Sequence, residues 1–123
     1  MANPNIVSVA SIYGKTVYDA DIATTAASLV SNAASSGEIL KINSLIIANI
    51  DGTDTADITV TLRNAAGDTT HSTIVNTVAV PADATLIVVS KDTSIYLEED
   101  MSLYVLASAA GDLSATCSYE EIG

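Results

Sequence analysis

Residues 40–64 read LKINSLIIANIDGTDTADITVTLRN. In the second half, Ile58, Val60 and Leu62 alternate with Thr59, Thr61 and Arg63. That period-two pattern predicts a half-buried antiparallel strand, with the aliphatic set facing in. Residues 38–50 predict a longer strand. Between the two lies DGTDTAD, and Asp-Gly between strands is a strong turn signal because Gly accepts a positive φ. The stretch therefore predicts two strands around a solvated hairpin tip and places the chain among all-β proteins.

The tip carries Asp51, Asp54 and Asp57, which raises the question of a cation site. A calcium loop needs oxygen donors at alternate positions and a distal bidentate acid. Here the aspartates are three apart, and Gly52 follows the first directly. The spacing favours a structural turn, and no metal site is assigned.

Outward from this stretch, short apolar runs alternate with turn signals along the whole chain. NIVSVASIY (5–13) predicts a first strand, and 25–30 a short one before the turn in NAASSG. NAAGD (64–68) predicts a turn, THSTIVNTVAV a strand ended by Pro81, and TLIVVS, SIYLEE, MSLYVLASAA and LSATCSYEE the remaining strands. Pro has no N–H to give to a ladder, which fits its place at a strand end. Eight or nine short strands at this spacing predict one antiparallel β-sandwich over residues 1–123, jelly-roll-like or immunoglobulin-like.

Composition narrows the function classes. The 123 residues contain no Phe and no Trp, so Ala, Val, Ile and Leu must fill the core, with five Tyr as the aromatics. Fifteen acids against four bases give a net charge of −11. Phosphate backbones are bound through clustered Lys and Arg, so nucleic acid is an unsuitable partner, and so is an anionic membrane. No secretory leader or membrane-spanning run is read in the sequence.

Catalytic chemistry finds few parts. His71 has no companion at metal-ligand spacing, and a zinc site needs three or four N or S donors. No Gly-x-Ser-x-Gly elbow and no glycine-rich phosphate loop occurs. Cys117 shares a parity with Leu113, Ala115 and Tyr119, which predicts a small buried hydrophobe on a strand's core face. Glu98, Glu99 and Asp100 are consecutive, so they cannot all face one cleft; they predict a charged edge that deters strand pairing. No catalytic residue, cofactor or metal is assigned, and the expectation is a non-enzymatic protein.

The tyrosines, Tyr13, Tyr18, Tyr96, Tyr104 and Tyr119, are the large side chains available for interfaces. In SLYVLASAA, Leu103, Val105 and Ala107 occupy one parity, and Tyr104 and Leu106 the other. A strand apolar on both faces is covered on both. Tyr104 and Leu106 are therefore the candidate interface residues, and a homo-oligomer, with a trimer as the guessed number, is the expected assembly.

Several segments together suggest a family: GEILKINSLIIANIDGTDTADITVTLRN, then VAVPADATLIVVSKDTSIYLEEDMSLYVLASAAGDLSATCSYEEIG. This pattern, running from about Ile6 to Ile122, resembles small virion structural proteins of tailed phages, notably those infecting marine cyanobacteria. The resemblance implies a non-enzymatic particle component, assembled in the host cytoplasm and located in the virion. It would be a capsid decoration protein that contacts the major capsid protein or other virion proteins. A tail, neck or fibre component, with glycan contact as one option, is the alternative, followed by a non-viral lectin-like or calcium-binding module.

Overall fold

A computed structural model describes residues 3–64 and 71–123, with the side chain of His71 outside that set. The expected turn over 64–68 lies, from residue 65 on, outside the described residues. Among the described residues there are nine strands: β1 (Ile12–Asp19), β2 (Ala27–Ser31), β3 (Ile39–Asn49), β4 (Ala56–Arg63), β5 (His71–Val80), β6 (Thr85–Val89), β7 (Ile95–Leu97), β8 (Ser102–Ala107) and β9 (Leu113–Ile122). A single 3₁₀ turn, Lys91–Thr93, joins β6 to β7.

The strands form two antiparallel sheets packed face to face, so the chain is a β-sandwich. Sheet A has the order β1-β9-β3-β6, and β7 pairs with β3 alongside β6. The eleven-residue β3 pairs with β9 along one edge. Its other edge is shared, β7 taking Leu40–Ile42 and β6 taking Leu45–Ala48. Sheet B has the order β2-β8-β4-β5. The final strand, β9, thus sits in the middle of sheet A.

Alternation fixes what lies between the sheets. Leu40, Ile42, Leu45 and Ile47 of β3 and Leu113, Ala115 and Cys117 of β9 meet Ile58 and Val60 of β4 and Leu103, Val105 and Ala107 of β8. All are buried, and apart from Cys117 this core set is aliphatic, in keeping with the absence of Phe and Trp. The predicted inward set of β4 is buried at Ile58 and Val60 and half-buried at Leu62, while Thr61 on the opposite parity is also covered.

Three expectations are corrected. Residues 40–64 are not a hairpin: β3 belongs to sheet A and β4 to sheet B, so DGTDTAD is a corner that carries the chain from one sheet to the other. Local alternation sets which face of a strand is buried but not which strand it pairs with. Of the nine strands, only β4 and β5 are both consecutive and directly paired.

The first strand begins at Ile12 rather than near residue 5. In the segment before it, the Asn5 side chain accepts the Val7 N–H (3.0 Å) and its carbonyl accepts the Ser8 N–H (3.1 Å). This local turn outcompetes the strand preference of Ile6 and Val7.

Glu98, Glu99 and Asp100 are not a uniformly charged edge. Glu99 is buried, and its carboxylate lies 3.5 Å from the Gly37 N–H.

Candidate functional site

The aspartate corner is organised by its own backbone. Asp51 Oδ1 accepts hydrogen bonds from the Thr53 N–H (2.8 Å), the Thr53 hydroxyl (2.9 Å) and the Asp54 N–H (3.3 Å). These bonds hold the Asp51 carboxyl below the usual carboxylate range. Asp57 is used through its main chain: its N–H donates to Ser108 Oγ (2.8 Å), and its carbonyl accepts the Ser108 N–H (2.9 Å). Asp112 approaches from the β8–β9 turn, where its carbonyl accepts the Ile50 N–H (2.7 Å). Partial burial, reinforced by the neighbouring Asp51 charge, pushes the Asp112 carboxyl up. Among the described residues, no group of three His, Cys, Asp or Glu side chains is placed to hold a metal ion.

Two buried asparagines, unassigned from sequence, hold the corners. The Asn49 amide donates to the carbonyls of Asp54 and Val80, both at 2.9 Å, and its Oδ1 accepts the Asp51 N–H (2.9 Å). One side chain thereby joins the end of β3, the start of β4 and the end of β5. Asn32 acts similarly at another corner. Its amide donates to the carbonyls of Glu38 (2.9 Å) and Leu97 (3.0 Å), and its Oδ1 accepts the Ser36 hydroxyl (2.6 Å). The sequence signal for Asn49 is its place on the core parity after Leu45 and Ile47, where a polar residue must find partners.

Cys117 is fully buried on the core face of β9, and burial pushes its thiol up to about 11. A thiol in that state is not a nucleophile at neutral pH.

Tyr104 and Leu106 both lie on the outer face of sheet B, opposite the core residues Leu103, Val105 and Ala107, and both are half-buried. The Arg63 guanidinium sits 4.0 Å from the centre of the Tyr104 ring, a cation–π contact that covers part of this face. Tyr13, Tyr18 and Tyr96 are exposed, whereas Tyr119 packs against the core.

An open, uncharged surface lies on the other sheet. Register places Tyr18, Thr116, Ile46 and Ile87 in one row across β1, β9, β3 and β6. Tyr18 is 72% exposed and Ile87 64%. The flanking rows are Thr16–Ser118–Ser44 and Ser114–Ala48–Thr85. None of these ten side chains is charged. Toward the Ile122 end of β9, the next row brings in Glu120 and Lys41. Beyond it, Ile39 and Ile122 are buried without belonging to the inter-sheet core, and the N-terminal segment reaches that end through Pro4 and Ile6, which share a cleft with Ile39, Tyr96 and Glu98.

No protein-family model matches the sequence, and no curated protein matches it. Among solved structures, a chain from Bacillus endospore appendages, described as a novel family of disulfide-linked pili, is similar over 91% of this chain and 88% of its own length, with 20% identity and a TM-score of 0.49.

Proposed function

We propose that this protein is a non-enzymatic structural component that works by assembling into a larger protein particle, first through contacts between copies of itself. The observation that carries the reading is a set of three uncharged rows on the outer face of sheet A. The chain has a net charge of −11, yet three adjacent rows across four strands present only Thr, Ser, Ala, Ile and Tyr, with Tyr18 and Ile87 open to solvent. On a strongly acidic surface, a flat patch without charge is the place where two copies approach without repulsion. Tyr104 and Leu106 offer a second, more recessed contact on sheet B.

The particle is a tailed-phage virion in this reading, with the protein decorating the capsid. Support for that step comes from the sequence resemblance set out above, which extends from about Ile6 to Ile122. A sandwich whose polar corners are occupied by structural hydrogen bonds suits such a passive role. Gold-labelled antibody against the protein, applied to intact particles whose genome encodes it, tests the assignment. Label over the head is the expected result, label at the tail or neck moves the protein to the alternative position, and particles without label overturn the virion reading.

A further inference from the structure

Sheet A ends on β1. We propose that this edge pairs with β1 of a second copy, antiparallel about a two-fold axis at Thr16, so that sheet A runs on from one copy into the other. The proposal rests on the self-assembly reading above and names the edge through which two copies join.

The described edges of the sandwich are not alike. On the far side of sheet A, the edge is divided between β6 and β7, five and three residues long, with the 3₁₀ turn between them. In sheet B, β2 has five residues and a bulge. β5 is long, but its register against β4 shifts twice and Thr77 takes a left-handed φ of 45°. Short strands and bulges are the usual means of blunting an edge against further pairing. β1 has neither: eight residues, no Pro, and an unbroken register against β9. Lys15, its one cation, is engaged by Glu121 of its own chain at 2.9 Å.

Hydrogen-bond parity shows what β1 offers. Just before it, Ser11 and Gly123 exchange both backbone bonds, Ser11 N–H to the Gly123 carbonyl (3.2 Å) and Gly123 N–H to the Ser11 carbonyl (3.0 Å). That is the hydrogen-bonded type of antiparallel pair, and the two types alternate. With no register shift, Tyr13, Lys15, Val17 and Asp19 bond to β9 in the same way. The N–H and C=O groups of Ile12, Gly14, Thr16 and Tyr18 therefore point away from β9, toward the open edge.

Gly14 indicates that something else comes here. Glycine inside a strand weakens it and often marks a close approach by another molecule or backbone. Within one copy nothing calls for it: a Cβ at Gly14 would meet no atom within 4 Å, and Gly14 is not among the residues with positive φ. A two-fold axis at Thr16 sets Gly14 opposite Tyr18 of the second copy, on the outer face. Tyr18 is 72% exposed in the single chain, and its ring then covers the glycine.

Other registers fit less well. Two outward-pointing residues must meet, so the axis moves only in whole-residue steps along β1. An axis at Lys15 opposes two lysines directly, which is destabilising. An axis at Val17 shortens the ladder and sets Gly14 against Ala20, beyond the end of β1. Charge permits the approach at Thr16: the chain carries −11, but β1 has one Lys and one Asp and is formally neutral. The pairing also continues the Thr16–Ser118–Ser44 row straight into its counterpart, joining the uncharged rows of two copies into one surface.

The test uses two variants of the full chain, with sedimentation velocity and mild oxidation as readouts. The Thr16 N–H faces away from β9, so Thr16→Pro removes a bond between copies and leaves the ladder to β9 intact. It should keep the wild-type circular dichroism spectrum and weaken self-association at least tenfold. Thr16→Cys places two thiols across the axis, at the separation of roughly 5.5 Å that suits a disulfide. Cys117 is buried, so the new thiol is the reactive one. Thr16→Cys should form a covalent dimer on mild oxidation. Ile12→Cys should not, because the two Ile12 positions lie eight residues apart along the ladder, roughly 26 Å at about 3.3 Å per residue. Assembly that is unchanged in Thr16→Pro overturns the β1 pairing, as does Thr16→Cys cross-linking no faster than Ile12→Cys. Either result leaves self-assembly itself standing, whereas a wild-type chain that stays monomeric at millimolar concentration ends both.

Discussion

Asn49 is itself buried and carries three hydrogen bonds, the one to the Val80 carbonyl fully buried and the other two partly so. Removing the side chain strands two carbonyls and one N–H at the corner between the sheets. Asn49→Ala should therefore destabilise the fold by about 2–4 kcal/mol, more than an ordinary surface substitution, as read by urea unfolding. Asn49→Asp keeps the shape but loses the donor, and should recover little of that loss. Cys117 gives a second residue-scale prediction. The thiol should resist an aromatic disulfide reagent in the native protein at pH 8 and react once urea unfolds it. Its folded pKa is raised, so as pH climbs beyond 9 the unfolded chain loses this proton first. Stability contributed by Cys117 is then full below pH 9 and declines toward pH 11, a decline that Cys117→Ala should lack. Burial of Cys117 was legible from its parity with Leu113 and Ala115. The bonds of Asn49 were not, because its partners Asp54 and Val80 come from strands whose neighbours the sequence does not reveal.

At the scale of elements, alternation along β4, β8 and β9 identified the buried faces, because burial follows directly from side-chain parity. Pairing is a different matter. The Asp-Gly turn after β3 looks the same whether the chain returns alongside its neighbour or crosses to the facing sheet, and here it crosses. The bulge in β2, a register shift between Ser28 and Val30 that leaves Leu29 and Val30 both buried, was equally hidden. The crossing corner also brings Asp51 against Asp112, which predicts an opposed pH response. Asp51 is held low, so its contribution to stability is present above its ordinary pKa of 3.8 and lost as pH falls below it. Asp112 is pushed up, so the folded protein holds that proton longer and loses stability as pH rises past 3.8. Asp112→Asn should raise the melting temperature at pH 7, and the gain should disappear at pH 3. Calorimetry at both pH values checks it, and equal gains at the two would contradict the assigned cause.

For the whole molecule, the two sheets make different surfaces. Sheet A offers the uncharged rows around Tyr18, Ile46 and Ile87; sheet B offers Tyr104 and Leu106 in a more recessed setting beside Arg63. Tyr18→Glu with Ile87→Glu should keep the β-sheet circular dichroism spectrum and reduce the assembly to monomers in sedimentation velocity. Tyr104→Asp with Leu106→Asp should weaken assembly less. If the first pair leaves the mass unchanged while the second dissociates the particle, sheet B is the principal contact face. The position of β9 has a further consequence, in the time order of synthesis. β1 and β3 flank it and meet each other only through it, yet it follows the other eight described strands in sequence. Until residues 113–122 are made, sheet A has no centre, and β3 and β1 have open edges of the kind that pair with the wrong neighbour. Closing sheet A must wait for residues 113–122, with the slow kinetics of long-range pairing. Ribosome-tethered chains stalled before Leu113 should remain open to protease, and chains in which residues 113–122 have cleared the ribosome should become resistant in a single step.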